Sequence, residues 1–166
     1  DVYKGQGYCL AKNDTGELFV VTATTATTAV AQVGVSTNWD KLSRRHATNT
    51  NGELYSINVT TATSTQVGVA TNWTDVAGLS SSVDNCTAYA RNSAGELYKL
   101  VKTTATKIGS ATTWSAVSSL SYTSTYFDYA ALAIDDGKLY RLDGNTPTQI
   151  GVATNWAAIS KSGRIM

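Results

Sequence analysis

The chain has 166 residues, with 13 Lys and Arg set against 12 Asp and Glu and only 15% charged residues overall. A charge balance this close to neutral excludes the basic footprint of a nucleic-acid binder, and no apolar run reaches the roughly 18 to 20 residues of a membrane-spanning helix. The length suits one domain with a sizeable core.

The opening Asp1-Val2-Tyr3-Lys4 has no signal-peptide pattern and no initiating Met, as expected of a processed product or a piece of a longer one. The first apolar stretch, Leu10-Ala11-Lys12, runs into a turn at Thr15-Gly16 and out through Glu17-Leu18-Phe19-Val20-Val21. The same grammar returns at Ala47-Thr48-Asn49, Asn51-Gly52 and Glu53-Leu54-Tyr55, at Tyr89-Ala90-Arg91, Ala94-Gly95 and Glu96-Leu97-Tyr98, and at Leu132-Ala133-Ile134, Asp136-Gly137 and Lys138-Leu139-Tyr140. Asn-Gly and Asp-Gly are strong hairpin signals, because both residues tolerate the positive φ that matches strand twist. The residues after each turn alternate, or nearly alternate, apolar with polar, as half-buried strands do.

Each hairpin is followed by a third short stretch ending in Val33-Gly34, Val67-Gly68, Ile108-Gly109 or Ile150-Gly151, and then by Trp39, Trp73, Trp114 or Trp156, where a fourth strand begins. Four short antiparallel strands per unit, written four times, is the pattern of propeller blades. The predicted fold is an all-β propeller of about four blades in a single domain over 1–166, with copies at about 1–45, 46–85, 86–128 and 129–166. Leu18, Leu54, Leu97 and Leu139 are expected to be buried with the four Trp residues. A Thr-rich composition, with runs such as Thr22-Ala23-Thr24-Thr25-Ala26-Thr27-Thr28, favours strands through β-branching.

The spacing is uneven. Gly16, Gly52, Gly95 and Gly137 follow one another at 36, 43 and 42 residues, and the shortfall lies in the junction Asp40-Lys41-Leu42-Ser43-Arg44-Arg45-His46. Either the ring closes with one stunted strand, the last strand completing the first blade, or the chain is part of a larger ring finished by other residues or another chain. Closure matters because an open sheet edge is a template for unwanted pairing. Cys9 and Cys86 occupy non-equivalent positions in the first and third copies, so free thiols are expected and not a disulfide.

The fourth copy, Tyr129 to Asn145 followed by Thr148-Gln149-Ile150-Gly151 and Trp156-Ala157-Ala158-Ile159-Ser160, resembles a degenerate blade of the regulator-of-chromosome-condensation repeat. The resemblance covers most of the chain in outline and implies a propeller; with shorter blades and four copies where that family has seven, it implies neither nucleotide exchange nor chromatin binding. The Thr/Ser-rich copies also look like repeats of tailed-phage virion proteins.

Candidate contact residues sit where the repeat breaks its own pattern. Lys41, Arg44, Arg45 and His46 form the dense basic cluster, read either as a solvated loop or as an anion contact. Tyr122, Tyr126, Phe127 and Tyr129 are a local aromatic excess that suits packing between chains or within the core. The Trp residues read as packing between blades or as sugar-stacking platforms. Asn38, Asn72 and Asn155, in Thr-Asn-Trp, read as turn or cap residues, with Thr113 in the third copy.

Catalysis finds no footing. With one histidine, no G-x-S-x-G elbow, adjacent Asp135 and Asp136 that should diverge on a turn, and two distant cysteines, neither a nucleophilic relay nor a zinc set can be assembled. No phosphate-binding glycine motif occurs either. The reading is therefore non-enzymatic, with no metal or cofactor, no nucleic acid and no membrane insertion. The expected role is a structural or adhesive module of an extracellular assembly such as a phage virion, in contact with other chains of that assembly or with itself. The alternative is a lectin-like propeller that binds a cell-surface glycan through repeated pockets.

Overall fold

The computed structural model describes residues 7–23, 27–79, 87–121, 130–160 and 163–164, and all structural statements concern these. They form strands and turns and no helix. The first sheet contains β1 (Gly7–Lys12), β2 (Leu18–Ala23) and β3 (Thr28–Gln32); the second β4 (Trp39–Ser43), β5 (His46–Asn49), β6 (Leu54–Asn58) and β7 (Thr63–Gln66). The third holds β8 (Trp73–Gly78), β9 (Thr87–Asn92), β10 (Leu97–Val101) and β11 (Thr104–Lys107). The fourth holds β12 (Trp114–Ser121), β13 (Ala131–Asp135), β14 (Lys138–Asp143) and β15 (Thr146–Gln149), with the two-residue β16 (Gly163–Arg164) beside β12. Within each sheet the strands meander antiparallel, and only β16 lies parallel to its neighbour. The fold is all-β and propeller-like, with about four blades, as the repeat predicts.

Each Trp strand pairs with the hairpin that follows it, so a blade takes its innermost strand from the end of the preceding sequence copy. Among the described residues the first sheet has three strands, β1 pairing with β2 and with no Trp strand. All three described Trp strands carry a bulge just after the Trp: Trp39 opposes Asn49 and Leu42 opposes Ala47, and the same offset recurs at Trp73 and Trp114. The extra residue adds local twist, which suits a strand turning into a blade axis.

The core consists of three clusters, one at each blade junction. Leu54 and Ile57 lie three residues apart on β6 and so project from opposite faces of their sheet. Ile57 joins Leu18, Val20, Val33, Trp39 and Ala47 at the first junction. Leu54 joins Val67, Trp73, Val76, Ala88, Ala90 and Leu100 at the second, and Leu97, Ile108, Trp114, Ala131, Ala133 and Leu142 meet at the third. The middle strands β6 and β10 thus each feed two junctions, at about 1.5 to 3 kcal/mol per fully buried aliphatic side chain. No blade can bury its own faces, which is the logic of a repeat.

The turns are built more tightly than a dipeptide signal indicates. Asp136 and Gly137 both have positive φ, +48° and +70°, the two-residue type I′ hairpin expected of Asp-Gly. In the other copies the loop is one residue longer: Gly52 N–H bonds Asn49 O at 3.0 Å and Gly52 has φ +74°, while Asn51 is absent from the positive-φ residues. The glycines also lie under the next Trp segment. Gly95 O accepts the Trp114 N–H at 3.1 Å, and a Cβ on Gly95 would sit 2.3 Å from Thr112 O, whereas Gly109, also at positive φ, has open space around it. Gly109→Ala should therefore cost about 1 kcal/mol, the left-handed penalty alone, and Gly95→Ala about 2 kcal/mol, as clash adds to it. Denaturant titration of the two variants checks the ordering; equal losses would contradict the close approach.

Leu18, Leu54, Leu97 and Leu139 are buried as expected, and so are Trp39, Trp73 and Trp114, at 4, 7 and 5% exposure. Trp156 departs from the expectation. It is 43% exposed, and residues 152–160 form no strand. The reason is visible in the junction rule: a Trp is covered by the blade that follows it, and no hairpin follows Trp156 within the described residues.

Candidate interaction surfaces

The junction between β4 and β5 is a turn at Arg44-Arg45, with Arg44 at φ +40°. Both flanking strands are complete, so what is abbreviated is the connection and not a strand. A short connection draws the basic cluster inward. Arg44 stays exposed and Lys41 half-buried, whereas Arg45 and His46 are buried at 3 and 1%. The Arg45 Nε donates to Tyr8 Oη at 2.7 Å, and its guanidinium lies 4.7 Å over the Tyr8 ring, a cation–π contact that ties β1 to the second blade. The expected contact surface therefore loses Arg45 and His46, which are internal.

His46 is the stranger of the two. Neither ring nitrogen has a hydrogen-bond partner among the described residues. Burial, reinforced by the charge of Arg45, pushes its pKa down to about 4, so the imidazole is neutral at pH 7.

Lys41 extends along the inner strands and its ammonium donates to Thr74 O, while Ser43 Oγ accepts the Gly78 N–H at 2.7 Å. Lys41, Ser43, Asp75, Ala77, Ser118 and Ser119 line a cavity of about 50 Å³ where β4, β8 and β12 come side by side. That volume suits a water or two and no larger ligand. Tyr122, Tyr126, Phe127 and Tyr129, the other candidate contact residues, lie outside the described residues. So does Cys86; Cys9 is a free, exposed thiol.

The three buried Trp rings meet tyrosines edge-on. Trp39 and Tyr55, Trp73 and Tyr98, and Trp114 and Tyr140 have centroids 5.0, 5.1 and 5.3 Å apart at steep interplanar angles. This is the favourable T-shaped geometry of packed aromatics, and it removes their faces from use as sugar platforms. Their indole N–H groups find no acceptor among the described residues. A groove of about 360 Å³ beside Trp73 is lined by Gly68, Asn72, Asn92, Glu96, Tyr98 and Ala105, among others.

A polar relay that the motif reading missed frames these grooves. Asn49 Oδ1 accepts the Glu53 N–H at 3.0 Å, its Nδ2 donates to Glu53 Oε2 at 2.5 Å, and the Tyr55 hydroxyl donates to the same carboxylate at 3.0 Å. Asn92, Glu96 and Tyr98 repeat the arrangement, and Lys107 adds an ion pair to Glu96. The Lys107 ammonium first, then Asn92 and Tyr98, hold the Glu96 carboxyl down at about 2. Asn13 and Glu17 form the same pair in the first copy. The signal was in the sequence: Asn stands four residues before Glu in three copies, and both change together in the fourth, to Asp135 and Lys138, where the loop is one residue shorter. As for Asn38 and Asn72 of Thr-Asn-Trp, their main-chain carbonyls accept the Thr50 and Ser93 N–H groups at 2.8 Å and so clamp successive blades together.

On the same side as the glycine turns, the link from each outer strand to the next Trp exposes Val35, Val69 and Val152 at 90 to 94%. Ser110 takes this place in the third copy.

No family model matches the chain, and no curated protein matches it. Among solved structures one similar chain is PorZ of Porphyromonas gingivalis, described as an essential bacterial surface component of the type-IX secretion system, with a TM-score of 0.43 and 15% identity over 88% of this chain and 22% of that one. The chain thus spans about a fifth of the length of PorZ.

Proposed function

We infer that the chain is a non-enzymatic structural or adhesive module of an extracellular assembly and acts through protein–protein contacts. The observation that carries this reading is the set of valines left at 90 to 94% exposure at equivalent places in three blades. Apolar residues scattered singly on a surface need no explanation, but these three recur at equivalent positions of the repeat, where a partner that follows the blades would meet them in register. At finer grain we place the module in a phage virion, as part of a tail, a fibre or a capsid decoration. That narrower reading rests on the resemblance of its Thr-rich degenerate copies to virion repeats, with protein partners and no metal, cofactor or nucleic acid.

One observation favours the lectin alternative: the groove beside Trp73 brings Asn72, Asn92, Glu96 and Tyr98 together. Sedimentation at rising concentration, run beside calorimetric titration with a panel of simple sugars, separates the two. Concentration-dependent association without sugar uptake is expected. A chain that stays monomeric to millimolar concentration and takes up a simple sugar at several equal sites would overturn the assembly reading.

A further inference from the structure

The inner strands β4, β8 and β12 bring together positions that the repeat makes equivalent. Two residues after each Trp stand Lys41, Asp75 and Ala116, and four residues after it Ser43, Ala77 and Ser118. All of these but Ala116 line the cavity of about 50 Å³. Within that lining Lys41 supplies the cation, Asp75 the carboxylate, and Ser43, Ser118 and Ser119 the hydroxyls. The equivalent positions thus differ in charge from blade to blade, and the three strands converge on a polar space that one blade alone would not make.

Proton accounting decides what such a space takes. An ammonium has three N–H donors and no acceptor, and Lys41 commits one of them, to Thr74 O. Ser43 Oγ accepts the Gly78 N–H at 2.7 Å, which leaves its own proton to donate. The Ser118 proton is given to Ser160 O, while the Ser119 hydroxyl lines the cavity beside it and turns to suit a partner. On the acceptor side, Asp75 Oδ1 takes the Val76 N–H at 3.1 Å, and Asp75 stands opposite Arg91 in the β8–β9 ladder, a cation outside the lining. Arg44 follows Ser43 directly and adds positive charge to the same strand end. Donors therefore outnumber acceptors around the cavity, beside a half-buried ammonium whose interactions gain strength from its partial removal from water. A water would bring two further protons that need acceptors, whereas a monatomic anion accepts from every side and brings none.

We propose that this cavity binds a monatomic anion, chloride in ordinary media, through the Lys41 ammonium and the Ser43 and Ser119 hydroxyls. The anion ties β4, β8 and β12 together, and so adds stability where three blades meet. Its size is that of the water or two that the volume admits, which excludes phosphate, sulfate and carboxylates. The site stands independently of the assembly reading, since its lining comes from inner strands and not from the exposed valines.

Thermal unfolding of the whole chain in sodium chloride and in sodium gluconate of equal ionic strength tests the site, because screening is then common to both. Chloride at about four times its dissociation constant should raise the midpoint by roughly 2 to 4 °C over gluconate. The difference should vanish in Lys41→Met, which keeps the packing of the stem, and grow in Asp75→Asn, which removes the carboxylate from the lining. Crystals of the parent grown in bromide should show its anomalous scattering within hydrogen-bond reach of Lys41 Nζ and Ser43 Oγ, a readout that holds even if a variant fails to fold. Coincident curves in the two salts, a difference that persists in Lys41→Met or shrinks in Asp75→Asn, or crystals without bromide in the cavity would each overturn the proposal and leave the space to water.

Discussion

Trp114→Ala should destabilise the chain by about 3 to 5 kcal/mol, and Trp156→Ala by less than about 1 kcal/mol in the isolated molecule. The sequence gives the two residues the same surroundings, Trp-Ser-Ala-Val and Trp-Ala-Ala-Ile, so the difference arises from what lies beyond them. Trp114 sits at 5% exposure, packed edge-on against Tyr140 in a cluster with Leu97, Ile108, Val117 and Leu142. Truncation there leaves a cavity that the stiff blades on either side cannot collapse. Trp156 has already left much of its ring in water, so its removal forfeits little burial. Equal losses in chemical unfolding would mean that Trp156 is covered as Trp114 is, contrary to its 43% exposure.

Stability should fall by roughly 3 kcal/mol between pH 7 and pH 4 through His46 alone. Its folded pKa, about 4, lies below the ordinary value of 6.5, because burial and the Arg45 charge both penalise the imidazolium. The folded state therefore binds this proton less readily than the unfolded chain does. The contribution is intact above about pH 6.5, declines as pH falls through the interval, and is fully lost once pH is below the folded value. Glu96, whose pKa is lowered to about 2 chiefly by Lys107, loses its contribution at lower pH, below the ordinary carboxylate value. Unfolding midpoints measured from pH 7 to 4 for the parent and for His46→Gln should diverge in slope, the variant being the flatter. Parallel curves would show that His46 reaches solvent and that the tight Arg44-Arg45 turn does not bury it.

Much of this architecture could be read from local residue patterns. The Gly52, Gly95 and Gly137 turns, the Leu-aromatic pairs after them and the Val or Ile before Gly34, Gly68, Gly109 and Gly151 report on their own blade, and local chemistry decides them. Trp156 could not be read in this way, because a Trp strand belongs to the sheet of the next copy and its burial depends on a neighbour. The basic cluster failed for a related reason: charge in a short junction reads as a solvated loop, yet a turn as tight as Arg44-Arg45 folds His46 onto Ser56 in the hairpin behind it. The Asn-to-Glu relay was overlooked because each residue is common in a turn, and only the concerted change to Asp135 and Lys138 marks them as a pair.

The central claim is that this all-β repeat acts by contact with other protein chains through surface set by its repeat. Solution mass by light scattering, over a concentration series of the parent chain beside a variant carrying Val35→Ser, Val69→Ser and Val152→Ser, tests it most directly. The account predicts that the parent mass climbs with concentration beyond that of one chain and that the variant lags well behind. A parent that holds the mass of a single chain throughout, or a variant that assembles as readily as the parent, would contradict it.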